Sequence, residues 1–363
     1  MKADKNEFDS ELRLVCSQMD RMVAADPLPA TVRPLYLGDA VRAYPSRGGK
    51  RLRPALLIWS CGLMGGTIEK ARHAALAVEL YHNWTLVHDD IIDQDELRRG
   101  HPACHTLLRE SFPSTATHLG DFGERRDKFG YDMAILAGDI QHGWAVDALA
   151  RSTLDGVCPK VTVALIRRMA GWLTPALISG EALDVAFPHM EGVSPVDLET
   201  MLALKTGALL QFAAESGAMI GLDTADHDRI EVRELGLLAR CGGIAFQLVD
   251  DWLNIFGDAK ATGKPVGSDL REGKKTMLLT MTLETAPRQA SSELLELVGK
   301  PDLSAEEIDC AREIMRASGA EARLLGLAKK FSDSASDILV RMPDNRYRAL
   351  LASWLDQLVN RTK

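Results

Sequence analysis

Two groups of carboxylates in the sequence have a spacing that suits a divalent metal ion. The first lies in the stretch LVHDDIIDQDELRRG and comprises Asp89, Asp90 and Asp93. Asp89 and Asp93 are four residues apart and share one face of a helix, with Asp90 about 100° round. Like charges this close repel one another, and Mg2+, which prefers oxygen ligands and accepts phosphate oxygens, would offset that repulsion. The stretch therefore predicts a magnesium site.

The second group lies in FQLVDDWLN and contains Asp250, Asp251 and Asn254. Asn254 stands where a third carboxylate would be, and its amide oxygen can still ligate a metal. Both groups directly follow apolar helical runs, and apolar helix faces belong in a core. The carboxylates are therefore expected to point into a cavity. The alternative, two solvated acidic helix ends, is disfavoured because the pattern occurs twice.

A basic turn near the start of the chain predicts a phosphate site. The stretch SRGGKRLRPALLIW contains Lys50, Arg51 and Arg53, and Pro54 suits the first turn of a helix. Cations and backbone amides at a helix start bind phosphate groups. A basic surface turn without a ligand is the alternative.

Further cations are candidates for the same anionic substrate. Arg98 and Arg99 follow the first aspartates, Lys205 lies within an apolar helix, and Lys264 and Lys274 lie in a glycine-broken segment. Each has a simpler interpretation. The arginines would pair with acidic neighbours, Lys205 would extend to the surface, and Lys264 and Lys274 would lie in a solvated loop.

Histidines near the first aspartates are candidate ligands. His101, Cys104 and His105 lack a second ligand pair at a spacing that zinc requires. His82 lies two turns before Asp89 and could reach the same cavity, although a single histidine is more often a hydrogen-bonded core residue.

The elements that must position these residues are helices. Long segments rich in Ala and Leu repeat apolar residues every three or four positions, and no series of alternating strands competes with them. Ser194 before Pro195, and Ser304 three residues before Glu307, predict helix starts. We expect one all-α domain over residues 1–363, with an inserted loop at 111–130, where polar residues and three glycines cluster.

Composition restricts the class of protein. The net charge is -8 and the pI about 5.7, which disfavours a nucleic-acid binder. The charged N-terminus lacks a signal-length apolar run, and no membrane span or anchor is expected. Six scattered cysteines without a CxxC predict free thiols in a reducing compartment, hence the cytoplasm.

Taken together, the motifs resemble the trans-isoprenyl diphosphate synthase (polyprenyl synthetase) family. The matching pieces occur in the family's order: GGKRLRP, HNWTLVHDDIIDQDELRRG, AILAGD, LKTGAL, FQLVDDWLN and GDAKATGKPVGSDLREGKKT. The resemblance implies a single helical bundle around a central cavity, usually a homodimer. It also implies Mg2+-dependent head-to-tail condensation of isopentenyl diphosphate with an allylic diphosphate, which releases pyrophosphate.

The resemblance also implies residue roles. The aspartates of both motifs and Asn254 match the ligands, and the groups that support them, of a site for three Mg2+ ions. Contacts to the allylic diphosphate match Arg98, Lys205 and Lys264. The isopentenyl diphosphate site matches Lys50, Arg53, His82 and Arg99, with Lys274 near the diphosphates. Thr206 and Gln247 match polar groups beside the developing carbocation. Glu181 departs from the pattern, because many members have Gln there.

The helix before the first aspartates is expected to set product length. Trp84 is five residues before Asp89, Tyr81 eight before it, and the small Thr85 four before it. In the family, a bulky aromatic at the fifth position limits products to short chains. We therefore expect twenty-carbon geranylgeranyl diphosphate, with fifteen-carbon farnesyl diphosphate as the alternative, and ordinary packing as the simpler role of Trp84.

Two rival functions share part of this pattern. A class I terpene cyclase shares the aspartate-rich helix and Mg2+ but needs no second substrate site, so Lys50, Arg53 and His82 disfavour it. A non-catalytic subunit of a heteromeric synthase would usually have lost aspartates or basic contacts, and all are present here.

Overall fold

The computed structural model describes residues 2–113, 122–257 and 266–359. Helices dominate these ranges, in which the only strands are β1 (Leu97–Arg98) and β2 (His101–Pro102), paired as an antiparallel hairpin. The predicted all-α fold is confirmed. Lys264 lies outside the described residues.

The helices differ widely in length. In chain order they are α1 Lys5–Ala25, α2 Leu28–Thr31, α3 Leu35–Ser46, α4 Leu52–Leu63, α5 Arg72–Ile92, α6 Cys104–Arg109, α7 Phe122–Ala150, α8 Pro159–Arg168, α9 Thr174–Ala186, α10 Pro195–Leu202, α11 Ala208–Gly221, α12 Ile230–Phe256, α13 Ser268–Arg271, α14 Met277–Thr285, α15 Arg288–Leu297, α16 Ala305–Ala317, α17 Ala320–Val340 and α18 Arg346–Val359. Short 3-10 segments span Ile68–Ala71, Arg151–Asp155 and Phe187–His189, and π-helical segments span Met169–Leu173 and Ala203–Gly207.

Both predicted helix caps are present. The hydroxyl of Ser194 accepts from the backbone N–H of Asp197 at the start of α10, and the Asp197 carboxylate accepts from the Ser194 N–H in return. Ser304 and Glu307 form the same reciprocal pair before α16. Each of these reciprocal pairs satisfies backbone N–H groups that have no acceptor within the first helical turn.

The predicted loop at 111–130 is wrong for its second half, because residues 122–130 form the start of α7. Salt bridges join this part of α7 to α6: Arg109 lies 3.2 Å from Asp127. Gly130 allows close packing, since a Cβ there would lie 2.5 Å from the carbonyl oxygen of His105. The glycines indicated a loop in the sequence, but Gly130 serves helix packing. Residues 114–121 lie outside the described part of the chain.

The described chain forms two compact units, and the first comprises residues within 4–166 and 216–226. In this unit α5 packs against α4 and α7, and residues 74–81 of α5 are all buried. A helix that is apolar on every side belongs in a core. A Cβ at Gly138 of α7 would lie 2.2 Å from His88, so the glycine permits the close approach of α7 to α5. The core of this unit thus holds the helix that ends at the first aspartates.

The second unit comprises residues within 1–3, 167–215 and 227–363. Its core contains α12 and α17 together with side chains from α10, α14, α15 and α16. Leu248, Val249, Leu253 and Ile255 of α12 are buried in it. These residues interleave with the second aspartate motif and hold that part of α12 in place. The expectation of one domain over 1–363 stays a prediction.

Within the described residues, one helical run, Pro159–His189, is long and apolar enough by length and composition to cross a membrane, whereas the sequence analysis predicts no membrane span. A core helix of a soluble protein passes the same test. Arg168 in this run pairs with Glu215 at 2.5 Å, and Asp184 pairs with Lys205 at 2.6 Å. These ion pairs to α11 and to the 203–207 segment are typical of a helix within a protein core.

Candidate active site

The first aspartates lie at the end of α5, where they have different surroundings. The Asp89 side chain is 21% exposed, whereas Asp90 is fully buried. Arg98 Nη2 lies 3.2 Å from Asp89 Oδ2 and also donates to Asp90. The Tyr44 hydroxyl donates to the other oxygen of Asp90 and accepts from the Cys104 N–H at 2.9 Å. Asp90 is thus held by protein donors, while Asp89 remains accessible from solvent.

The two arginines after this motif lie beyond the end of α5. Arg98 lies in β1, and Arg99 occupies the left-handed region, with φ 55°. This backbone conformation directs the Arg99 side chain to the basic turn near the start of the chain, where the guanidinium donates to the carbonyl of Gly48. A Cβ at Gly49 would lie 2.8 Å from Arg99 Nη1, so a glycine is required for this approach.

His82 lies among arginines. Arg53 Nη1 is 3.2 Å from His82 Nε2, and burial together with the charges of Arg53, Arg99, Arg98 and Arg51 lowers the pKa of His82 well below its usual value. The ring is therefore neutral near pH 7 and can accept from Arg53. The charges of Arg53 and Arg99 thus meet beside the neutral ring of His82, and this local positive charge would attract an anion.

This histidine predicts a pH dependence of stability. Because its folded-state pKa lies below the usual value of 6.5, the folded state binds fewer protons than the unfolded state as pH falls. We expect His82→Gln to flatten the decline in the free energy of unfolding below about pH 6.5. Above that pH, the free energy of unfolding should depend on pH in the same way in the variant and in the unmodified protein. Urea unfolding across that range measures this; parallel declines in the two proteins would contradict the depressed pKa.

The residues expected to set product length pack together on α5. Trp84 is 8% exposed and Tyr81 fully buried. The Trp84 ring meets Tyr81 at 4.8 Å and His142 of α7 at 4.7 Å between centroids, both edge to face. The Thr85 hydroxyl donates to the His82 carbonyl of its own helix. The sequence does not reveal His142 as a packing partner of Trp84, because it lies 58 positions further along the chain.

In the second unit, three predicted polar residues form a chain. The Thr206 hydroxyl lies 3.3 Å from Gln247 Oε1, and Gln247 Nε2 lies 3.5 Å from Asp251. Asp250 is exposed and Asp251 buried. Burial, then the charges of Asp269 and Asp250, raise the pKa of Asp251 well above its ordinary value. A bound cation would offset the charge of these acidic groups, and carboxylate oxygens are the ligand type that a hard divalent ion prefers.

Asn254 joins α12 to the segment that follows it. Its amide donates to the Ser268 hydroxyl at 2.7 Å and accepts from the Asp269 N–H at 3.2 Å. Lys274 Nζ lies 3.0 Å from Glu272. Asp269 was missed as a candidate, although it stands in the matched piece GSDLREGKKT.

Lys205 lies in the π-helical segment 203–207 between two carboxylates. Its Nζ is 2.9 Å from Glu181 and 2.6 Å from Asp184 of α9. Gly180 permits this close packing of α9 on the 203–207 segment, since a Cβ there would lie 2.3 Å from the backbone nitrogen of Lys205. The cation predicted to contact diphosphate is therefore shared with Glu181, the position at which the chain departs from the family pattern.

We expect Glu181→Gln to strengthen allylic diphosphate binding, because one of the two carboxylates that hold Lys205 is neutralised. The expected change is a fall of about threefold in the KM of the allylic substrate, the scale of a partly exposed ion pair. Steady-state kinetics measures it. Glu199→Gln, which removes a carboxylate from the adjacent α10, serves as the control, and a raised KM in the Glu181 variant would contradict the prediction.

The structure thus assembles two sets of candidate residues, one in each unit. Within the described residues, no group of three or more acidic, histidine or cysteine side chains is arranged around a common metal position. The first set instead uses Arg98 as counter-charge, and in the second set the raised pKa of Asp251 favours the neutral carboxyl. The site assignments stay predictions.

Comparisons with known proteins agree with this chemistry. A family model described as polyprenyl synthetase matches residues 35–315. The geranylgeranyl diphosphate synthase of Saccharolobus solfataricus is 38% identical over 301 residues, 82% of this chain and 81% of that protein. The crystal structure of geranylgeranyl pyrophosphate synthetase from Pyrococcus horikoshii superposes with a TM-score of 0.83 at 31% identity, covering 98% of this chain and 99% of that one.

A further solved structure carries ligands. Geranylgeranyl pyrophosphate synthase from Corynebacterium glutamicum, complexed with isoprenyl diphosphate and magnesium, has a TM-score of 0.81 at 28% identity and covers 98% of this chain and 99% of that one. The family model and these relatives each span most of the chain. The chain therefore belongs to the polyprenyl synthetase family, a family of prenyltransferases that elongate isoprenyl diphosphates.

Proposed function

We propose that this prenyltransferase condenses isopentenyl diphosphate with an allylic diphosphate to make geranylgeranyl diphosphate. The observation that carries the proposal is the cluster of Arg53, His82 and Arg99 in the same unit as Asp89 and its helix. A cationic site beside a metal-type carboxylate site fits two anionic substrates. A terpene cyclase binds one diphosphate and therefore needs no second cationic site.

Magnesium is proposed as the metal ion, because the Corynebacterium glutamicum structure is a complex with magnesium. The proposed number of three ions rests on the family resemblance alone. Asp89, Asp93, Asp250 and Asp251 would hold them, and Asn254 would assist. Asp90, bonded to Tyr44 and Arg98, would support its neighbours. When bound, Mg2+ neutralises charge that develops on the departing pyrophosphate.

The remaining polar residues are proposed to bind the two substrates. Arg98, Lys205 and Lys264 would hold the allylic diphosphate. Isopentenyl diphosphate would be held by Lys50, Arg53, His82 and Arg99, with Lys274 nearby. The cations stabilise the negative charge that grows on the leaving group.

The reaction breaks the allylic C–O bond and forms one C–C bond. As pyrophosphate leaves, the double bond of isopentenyl diphosphate attacks the allylic carbon, with Thr206 and Gln247 beside the positive charge. Loss of one proton then restores a double bond, and the released pyrophosphate is proposed to accept it. Water must be excluded from the cation.

The length of the product is proposed to follow from Trp84. Its indole, packed by Tyr81 and His142, would close the path of the growing chain. The names of the two relatives from Saccharolobus solfataricus and Pyrococcus horikoshii support the twenty-carbon product. Farnesyl diphosphate would follow if the indole stopped growth one unit earlier.

We further propose a cytoplasmic homodimer. All six cysteines are free thiols, which is typical of a reducing compartment and supports the location. Ile135 and Leu136 on α7 are 45% and 48% exposed, and this apolar surface supports self-association.

Product analysis tests the proposed function. The purified protein is incubated with Mg2+, isopentenyl diphosphate and, separately, five-, ten- and fifteen-carbon allylic primers, and chain lengths are read by mass spectrometry. A dominant twenty-carbon diphosphate is expected. Longer chains would keep the family but overturn the role of Trp84, and no elongation with any primer would overturn the activity.

A further inference from the structure

Arg51 differs from its basic neighbours because its side chain is fully buried, although it lies in the turn that carries Lys50 and Arg53. Its backbone lies in the left-handed region, with φ 46° and ψ 32°, immediately before α4 begins. That conformation is uncommon for a residue with a bulky side chain and persists when surrounding contacts hold it.

Three helices contribute the contacts that hold Arg51. Its guanidinium donates to the Glu79 carboxylate of α5, to Asp20 of α1 at 2.8 Å and to the Pro45 carbonyl of α3 at 2.6 Å. Glu79 is as buried as its partner, with a side chain 4% exposed, whereas that of Asp20 is 52% exposed. The pair Arg51–Glu79 is therefore a buried ion pair at the base of the basic turn.

Glu79 lies one turn before His82 on the same helix. Asn83 Nδ2 lies 2.6 Å from the Glu79 carbonyl and 3.2 Å from its carboxylate, so the acceptor is itself held in place. The Cys16 thiol packs under the turn, 3.8 Å from the Gly49 carbonyl. Arg51 thus joins the turn directly to the part of α5 that presents His82.

We propose that the Arg51–Glu79 ion pair is a positioning device for the isopentenyl diphosphate site. It holds the backbone at residue 51 so that Lys50 and Arg53 reach the substrate at a set distance from His82. Arg51 acts through its neighbours and contacts no substrate. The inference rests on the proposed function, since it assigns isopentenyl diphosphate to this cluster.

A double variant separates positioning from folding. Arg51→Met alone leaves Glu79 as an uncompensated buried carboxylate and is expected to lower Tm. Arg51→Met combined with Glu79→Leu replaces the pair with apolar side chains at unchanged net charge, and such replacements are often neutral in stability. We expect the double variant to recover Tm while its KM for isopentenyl diphosphate stays raised by about tenfold, with the allylic KM unchanged.

Arg51→Lys is the second variant. It keeps the charge but loses the forked contacts, and we expect the same selective rise in KM. The matched control is Arg168→Met with Glu215→Leu, a partly buried ion pair of the second unit, which should leave the isopentenyl diphosphate KM unchanged. If the double variant and Arg51→Lys both keep the KM of the unmodified protein, the pair serves stability alone and the inference is overturned.

A binding measurement distinguishes this failure from failure of the proposed function. Calorimetry without Mg2+ gives the Kd of isopentenyl diphosphate for the unmodified protein and both variants. Binding that weakens in the variants supports positioning even if no chain elongation occurs, in which case the proposed activity alone would fail. Equal Kd values in all three proteins, or no binding to the unmodified protein, would overturn the inference.

Discussion

Trp84→Ala is expected to lengthen the products beyond twenty carbons. The indole is nearly buried and packs edge to face on Tyr81 and His142, so its removal opens space one to two turns before Asp89. The surrounding rings cannot fill that space completely, because large-to-small changes in a core relax only in part. Chain lengths read by mass spectrometry after incubation with isopentenyl diphosphate and a fifteen-carbon primer measure the effect.

Trp59→Ala is the matched control for a lost indole. Trp59 lies in α4, is 1% exposed and packs on Phe8 with ring centroids 5.5 Å apart. Either deletion is expected to destabilise the protein by about 3–5 kcal/mol. If product length depends on local space, only the Trp84 variant makes longer chains. An unchanged product profile in that variant would remove Trp84 from the chain-length role.

Asp89→Asn is expected to lower kcat by about a thousandfold, which corresponds to about 4 kcal/mol of lost transition-state stabilisation. Asp89 is a solvent-accessible member of the first motif, whereas Asp90 is buried and bonded to Tyr44 and Arg98. The amide keeps the shape of the side chain but removes the charge that would attract a metal ion. Arg98, 3.2 Å away, would then face one carboxylate fewer.

The control for this change is Asp95→Asn. Asp95 lies 3.5 Å from the same Arg98 Nη2, so its removal also alters the balance of charge around that arginine. We expect its kcat to stay within about threefold of the unmodified protein. The assay is steady-state turnover at saturating substrates over a range of Mg2+ concentrations. Equal kcat values for the two variants would show that Asp89 has no special role in metal binding.

Several features followed from the sequence because they depend on neighbours along the chain. The cap at Ser304 needs only Glu307 three residues later, and the structure contains that reciprocal pair. Helical periodicity likewise predicted α5 and α12, the helices that end near the two aspartate motifs. The start of α7 was mispredicted for the opposite reason, because Gly130 lies against α6, a contact that composition does not reveal.

The contacts of the candidate site could not be predicted from neighbours along the chain. Tyr44 and Asp90 are 46 positions apart, and Arg51 and Glu79 are 28 apart, yet each pair forms a buried hydrogen bond. In the sequence, Arg51 was one of three equivalent cations of a basic turn. Its left-handed backbone turns it inward, whereas Arg53 approaches His82.

The sequence by itself determined the helical class, the two aspartate motifs and the family, because residue types at short spacing carry that information. Tertiary structure decided which charges are accessible and which are paired. Asp89 differs from Asp90, and Lys205 is shared between Glu181 and Asp184, only because helices distant along the chain pack beside them. Burial and the choice of partner are set by packing, and these two quantities govern the energetics of a charged group.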